Sequence, residues 1–195
     1  MAIGRPREFE IEQAIDAAMR YFWKMGYEAA SLQGLLTAMG ISRSSFYQAF
    51  GSKHDLFELC VKHYRDMLRK DLLDSLKKCE TGRDFIEHIF YACADEAARP
   101  DTKLGCLIMN TATEFAQKDP IIADLVSDST DKISRIFYDA IVLAQSRGTI
   151  PTSKDPEALS HFLLCNLNGL HSLLKAGKDK KSLRNIIKII LSVLN

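Results

Sequence analysis

Apolar residues recur at steps of three and four along almost the whole chain, and no stretch alternates strictly between apolar and polar positions. That period predicts helices and no strand, an all-α protein. The first helix runs from Glu8 to Met25, with Ile11, Ala14, Ile15, Ala18, Met19 and Phe22 on one side and Gly26 closing it. Ser31 caps a short helix that turns Leu32, Leu35, Leu36 and Met39 inward and stops at Gly40, and Ser42 caps another from Arg43 to Ala49, ended by Gly51. Ser52 starts a long helix to about Cys79, with Leu56, Phe57, Cys60, Val61, Tyr64 and Leu68 inward. At 1.5 Å per residue it reaches roughly 40 Å.

Beyond the break at Thr81-Gly82, a helix from Arg83 to Ala98 buries Phe85, Ile86, Ile89, Phe90 and Cys93; Pro100-Asp101 ends it, and a shorter helix begins near Gly105. Asp119-Pro120 and Asp155-Pro156 each set a carboxylate cap before a proline at the first helical position. Between them Ile122, Leu125, Val126, Ile133, Phe137, Ala140, Ile141 and Ala144 mark one long helix ending before Gly148. The last two helices span about Pro156 to Ala176 and Lys180 to Leu194. Leu159, Phe162, Leu163, Leu167, Leu170 and Leu174, with Leu183, Ile186, Ile187, Ile190, Leu191 and Leu194, make them apolar over more than one face. Such an excess points to burial against a second copy as a four-helix bundle across a twofold axis, with Gly169 allowing close approach; the alternative is an ordinary intrachain core.

Two short helices around a glycine-containing turn describe a helix-turn-helix. With Phe46 and Phe50 inward, Arg43, Ser44, Ser45, Tyr47 and Gln48 project outward as a small hydrogen-bonding face. An ordinary solvated face has the same pattern, but this one suits a major groove: Arg43 can fork onto guanine and Tyr47 can donate its hydroxyl to a phosphate. Ahead of the first helix, Arg5 and Arg7 flank Pro6 in an arm whose Gly-Arg-Pro resembles the core of an AT-hook, of the kind that enters a minor groove. A plain disordered terminus fits that arm equally.

Composition narrows the classes. With 195 residues, 47% of them hydrophobic, the chain has enough apolar material for a substantial core, and a formal net charge of +1 excludes a generally basic nucleic-acid binder. Up to Lys70 there are ten cations against eight acids, so attraction to DNA depends on where the charges sit. No leader-like stretch opens the chain, and the most apolar segment, Ile186 to Leu194, is short and interrupted by Lys188, which argues against a membrane and for the cytoplasm. Five cysteines without C-x-x-C spacing suit a reducing compartment. Phosphate-loop, G-x-S-x-G and H-E-x-x-H motifs are absent from the sequence, so no enzyme and no cofactor is expected. Cys60 with His63, and His161 with Cys165, offer two ligands each, which is not a metal site.

Gly26-Tyr27, Met39-Gly40-Ile41-Ser42 and the run Ser45-Phe46-Tyr47-Gln48-Ala49-Phe50-Gly51-Ser52-Lys53-His54-Asp55-Leu56-Phe57 resemble the signature of the TetR family of bacterial repressors, A-G-V-S-x-G-x-L-Y-x-H-F-x-S-K-x-x-L. Ser45 and Phe46 are mild variants, Ala49 replaces a frequent His, and Leu36 stands where a small Ala is usual. The resemblance implies an N-terminal three-helix DNA-binding head over residues 1–50 and a helical ligand-binding and dimerisation domain over residues 51–195. It implies a homodimer, a double-stranded DNA operator of pseudo-palindromic form and a small-molecule effector that releases it. On this reading Arg5, Arg7, Ser31, Arg43, Ser44, Ser45, Tyr47, Gln48 and Lys53 meet DNA, and Cys106, Met109, Asn110, Phe137, Asn168 and His171 are candidates to bind the effector.

Cys106 lies in Lys103-Leu104-Gly105-Cys106-Leu107-Ile108, where a helix start and a nearby lysine favour thiolate, whereas the other four cysteines sit inside longer helical patterns. The Gly-Cys-Leu sequence also resembles a subgroup of TetR-type repressors that sense electrophiles or oxidants through cysteine. A small core residue is the other reading of Cys106. The rival to the whole assignment is an all-α ligand-binding or transferase-like protein in which the helix-turn-helix is only a packing corner.

Overall fold

The structure, a computed structural model, describes residues 5–99, 103–115 and 117–195, with side chains from residue 11 onward. Among the described residues the chain forms α1 (Arg5–Met25), α2 (Leu32–Met39), α3 (Arg43–Phe50), α4 (Lys53–Lys78), α5 (Gly82–Glu96), α6 (Leu107–Phe115), α7 (Pro120–Ser146), α8 (Pro156–Lys175) and α9 (Lys180–Ser192). Caps explain most of the boundaries. Asp155 and Asp179 accept backbone N–H bonds at the starts of α8 and α9, and Asp119 Oδ1 accepts from Ile121 and Ile122 at the start of α7. Thr81 and Asp84 close a reciprocal capping box on α5.

Two expectations shift at the ends. The helix expected to begin at Glu8 begins at Arg5, because Pro6 falls in a first turn where its missing N–H costs nothing. The backbone of Arg5 and Arg7 is thus helical rather than an extended arm, while their side chains lie outside the described residues, as does the Pro100-Asp101 stop expected after α5. Ile11, expected to be inward, is exposed on α1.

The chain divides into two compact units, Met1–Met67 with Asn110–Val126, and Leu68–Met109 with Ser127–Asn195. In the first, α1 packs on α2 and the core gathers Ala18, Met19, Phe22, Leu35, Phe46, Leu56, Phe57 and Phe115. The second is built of α5 against α8 and α9, with α8 on α9. Its centre holds Phe85, Phe90 and Phe137, whose rings lie 5.9 and 6.5 Å from that of Phe137. Arg83 ties its ends together, donating to Thr149 O at 3.1 Å and to Asn195 Oδ1 at 2.8 Å.

The apolar sets on α8 and α9 resolve into two stripes. Leu163, Leu167, Leu170 and Leu174, with Leu183, Ile187, Ile190 and Leu191, are buried within the single chain. Leu167 and Ile187 are therefore core residues of one protomer, a correction to placing their whole set at a seam between copies. What α8 leaves exposed is a different stripe, Phe162, Cys165, Gly169 and Leu173. On α9 it is Ile189, 72% exposed.

One close approach in the second unit fixes a residue type. A Cβ added at Gly82 would stand 1.7 Å from the carbonyl oxygen of Ala140, so the first turn of α5 lies directly on the backbone of α7. Gly82→Ala must push two main chains apart, and overpacking of this kind costs about 1–3 kcal/mol or more. Urea unfolding should show the unfolding free energy falling by that amount, with a lower midpoint, and an unchanged midpoint would refute the close packing.

Candidate nucleic-acid interface

The interface is built upward from two serines and a glycine. Ser31 Oγ accepts from the Gly34 N–H at 3.1 Å and starts α2. Gly40 then takes φ +67°, its N–H reaching Thr37 O at 3.3 Å while Ile41 N–H reaches Leu36 O at 3.2 Å, the paired bonds of a Schellman stop. Ser42 follows in extended backbone and accepts from Ser45 N–H at 3.1 Å to start α3. This is a helix-turn-helix whose turn is closed by hydrogen bonds at every step.

Phe46 and Phe50 anchor α3 in the core, leaving Arg43, Ser44, Ser45, Tyr47, Gln48 and Ala49 exposed. Tyr47, 51% exposed, rests edge-on against Phe46 at 5.3 Å between centroids. The hydroxyls of Ser44 and Ser45 each lie 2.9 Å from Ser42 Oγ. Both serines are therefore engaged with the cap as well as presented outward, which sequence spacing did not reveal. Ser31 is also exposed, at the start of α2.

Lys53 opens α4. Ser52 Oγ accepts from Asp55 N–H at 3.1 Å and donates to Asp55 Oδ2 at 2.7 Å, so the helix start is capped before Lys53 reaches out. Its Nζ sits 4.3 Å from the centre of the Tyr27 ring. Tyr27 in turn packs on Phe57 at 5.0 Å and Phe115 at 4.9 Å, and burial, with nearby carboxylates, pushes its phenol above the usual tyrosine range. Glu114, at the end of α6, accepts from Tyr27 N–H at 3.2 Å and from Glu28 N–H at 2.9 Å. His54 Nε2 lies 2.5 Å from Asp119 Oδ2, and that contact, with the Ile122 N–H, holds the Asp119 carboxyl below its ordinary range.

The six candidate effector residues divide between the two compact units. Cys106, Met109, Phe137, Asn168 and His171 belong to the second unit and Asn110 to the first. Phe137 is fully buried between Phe85 and Phe90. His171 Nδ1 is buried with no hydrogen-bond partner among the described residues, and desolvation lowers this imidazole to about 4, so it is neutral. A surface groove of about 300 Å³ lies elsewhere, between α7 and α8, lined by Asp131, Ser134, Arg135, Tyr138, Glu157, Ser160 and His161.

Cysteine environments differ from the sequence expectation. Cys106 stands just before the first residue of α6 rather than inside its first turn, and it is buried. Burial pushes Cys60 upward, its Sγ donating to Ile15 O at 3.7 Å, and pushes Cys93 up to about 12. Cys165, expected to be buried, is exposed because it falls on the outward stripe of α8, and Cys79 is half-buried just past the end of α4. Among the described residues no three His, Cys, Asp or Glu come together to hold a metal, and no helix is long and apolar enough to cross a membrane.

Comparison with known proteins places these elements. Residues 14–60 match the model of bacterial regulatory proteins of the tetR family, and residues 82–190 match a tetracyclin repressor-like C-terminal domain. The chain is 29% identical over 194 residues to YezE, an HTH-type transcriptional regulator of Bacillus subtilis, covering 99% of this chain and all of that one. It is likewise 29% identical over 187 residues to the HTH-type transcriptional repressor ComR of Escherichia coli, covering 94% of this chain and 88% of that one. Among solved structures, a cysteine mutant of the regulator CifR in complex with a 26-base-pair operator duplex superposes with a TM-score of 0.81 at 25% identity, covering 100% of this chain and 99% of that one.

Proposed function

The chain belongs to the TetR family of bacterial regulatory proteins, and on that premise we propose that it is a homodimeric repressor whose α3 reads the major groove of a pseudo-palindromic operator. It is a transcriptional regulator and not an enzyme, and the rival reading as a transferase-like protein falls with the family assignment. The observation that carries the proposal is the outward face of α3: Arg43, Ser44, Ser45, Tyr47 and Gln48 all exposed on a helix pinned by two buried phenylalanines. Arg43 and Gln48 present the donor and acceptor groups that discriminate base edges, while Ser31, Tyr47 and Lys53 are placed for phosphates. Arg5 and Arg7 add minor-groove contacts from the first turn of α1. Residues 1–50 form the reading head, residues 51–195 respond to the effector and dimerise, and the protein acts in the cytoplasm, where its operator lies.

Dimerisation is supported by the exposed stripe of Phe162, Cys165, Gly169 and Leu173 on α8 and by Ile189 on α9, apolar surface left outward among the described residues. An effector site in the second domain is supported by the orphaned Nδ1 of His171, since a buried nitrogen without a partner is what a ligand hydroxyl or a trapped water satisfies. Cys106, Met109, Asn110, Phe137 and Asn168 are the other residues proposed for it. Release follows when the effector prefers a conformation in which the two heads are wrongly spaced, DNA affinity falling by that difference in binding free energy.

Three measurements test this reading. Arg43→Ala, Tyr47→Ala and Lys53→Ala together should abolish binding to duplexes selected from genomic fragments, with the single Arg43→Ala altering base preference; unchanged binding by the triple variant would remove the site from α3. Leu173→Glu and Ile189→Glu should give folded monomers by sedimentation, whereas Leu167→Glu and Ile187→Glu should unfold the protomer, because only the latter bury the new charge inside one chain at a cost of several kcal/mol. A folded dimer after Ile189→Glu and Leu173→Glu together would contradict the seam. In a Cys165→Ser background, a mild electrophile should release the operator at least tenfold and modify Cys106, and release that persists in Cys106→Ser would refute the sensing role.

A further inference from the structure

Lys53 is offered to a phosphate, yet its flexible four-carbon stem does not by itself hold the ammonium at one place. What surrounds it does. The face of the Tyr27 ring lies under Nζ at 4.3 Å, within the range of a cation–π contact. That ring is itself immobilised on several sides: it stacks on Phe22 at 6.0 Å, meets Phe57 at 5.0 Å and Phe115 at 4.9 Å, and takes the edge of His54 at 6.4 Å. Its backbone is fixed as well. The two oxygens of Glu114 divide between two successive amides, Oε2 taking Tyr27 N–H at 3.2 Å and Oε1 taking Glu28 N–H at 2.9 Å.

We propose that Tyr27 and Glu114 are positioning residues for operator binding: Glu114 sets the turn after α1, and the Tyr27 ring set by that turn holds the Lys53 ammonium where it meets a DNA phosphate. An ammonium has three N–H donors, so a ring on one side leaves donors free for phosphate oxygens on the other. A ring cannot replace the phosphate and does not need to. It removes the rotamer freedom that Lys53 would otherwise lose on binding. Glu114 requires a carboxylate, because both of its oxygens accept; in Glu114→Gln one acceptor becomes an NH₂ group facing a backbone N–H. The inference rests on Lys53 being a phosphate contact, and the experiment separates failure of that reading from failure of this one.

The test uses the full-length protein and a duplex selected by it, measuring the dissociation constant against salt concentration. Lys53→Ala should reduce the slope by about 0.9 per head, about 1.8 for a two-headed complex. Tyr27→Leu should reduce the slope by a similar amount and weaken binding about tenfold, Tyr27→Phe should behave as wild type because it keeps the ring, and the double variant Tyr27→Leu/Lys53→Ala should be no weaker than Lys53→Ala alone. Glu114→Gln should fall between, about threefold weaker, and should likewise add nothing to Lys53→Ala. That arm carries the test if Tyr27→Leu fails to fold, since Glu114→Gln keeps the aromatic cluster. A purely structural role for these residues would lower the melting temperature without touching the salt slope and would add to Lys53→Ala. Slopes unchanged in Tyr27→Leu and Glu114→Gln while Lys53→Ala loses its contact would overturn the proposal. A wild-type slope in Lys53→Ala would instead overturn the phosphate contact beneath it.

Discussion

Burial of Phe46 and Phe50 is the constraint on which the outward face of α3 depends. An eight-residue helix is far too short to persist in water on its own propensity, and α3 contributes no acidic first turn or basic last turn to help. Each buried aromatic supplies about 1.5–3 kcal/mol, Ser42 caps one end, and at the other Gly51 takes φ +75° and returns its N–H to Tyr47 O at 3.2 Å. With two ring positions four residues apart held in the core, helix geometry leaves no choice about the remainder: Arg43, Ser44, Tyr47 and Gln48 must point away. The exposed chemistry is a consequence of the buried packing.

That packing does not close upon residues 1–50. A three-helix unit of that size buries a modest share of its surface and is marginal by itself, and the compact unit in fact runs on to Met67 and takes in Asn110–Val126. Phe115 fills the aromatic core beside Tyr27 and Phe57. Glu114 and Asp119 satisfy groups 87 and 65 residues away, at Tyr27 and His54. The same segment that completes the unit belongs to α6 and α7, helices whose other parts are counted with the second unit. The first unit is thus completed by residues far along the chain, and two of them, Glu114 and Asp119, fix the α1–α2 turn and the start of α4.

What was legible in the sequence follows local chemistry. Ser31, Ser42, Asp119 and Asp155 cap helices where a short oxygen-bearing side chain precedes an apolar period, and Gly40 ends α2 where a positive φ is needed. The inward and outward faces of α3 were legible too, because one helix turn fixes them once Phe46 and Phe50 are assigned. Pairings distant in sequence were not. Nothing near Glu114 marks it as the acceptor for Tyr27 and Glu28, and no period says that Lys53 lies over a tyrosine. On α8 and α9 the period shows two apolar stripes without saying which belongs to the chain's own core. Leu167 and Ile187 face inward, and the smaller stripe of Phe162, Cys165 and Leu173 is left outside.

The cysteines show why access and reactivity have to be argued separately. Cys165 is the thiol most open to solvent and lies midway along α8. Cys60 and Cys93 are buried inside helices that desolvate them, and both are pushed upward out of the reactive range. Cys106 alone combines a position immediately before a helix with burial. In general a helix N-terminus favours a thiolate and burial opposes one, so position and burial have to be weighed together. Burial also limits access, so a thiol so placed meets reagents selected by size before they are selected by chemistry. An adduct on a sulfur buried in close-packed surroundings must displace its neighbours.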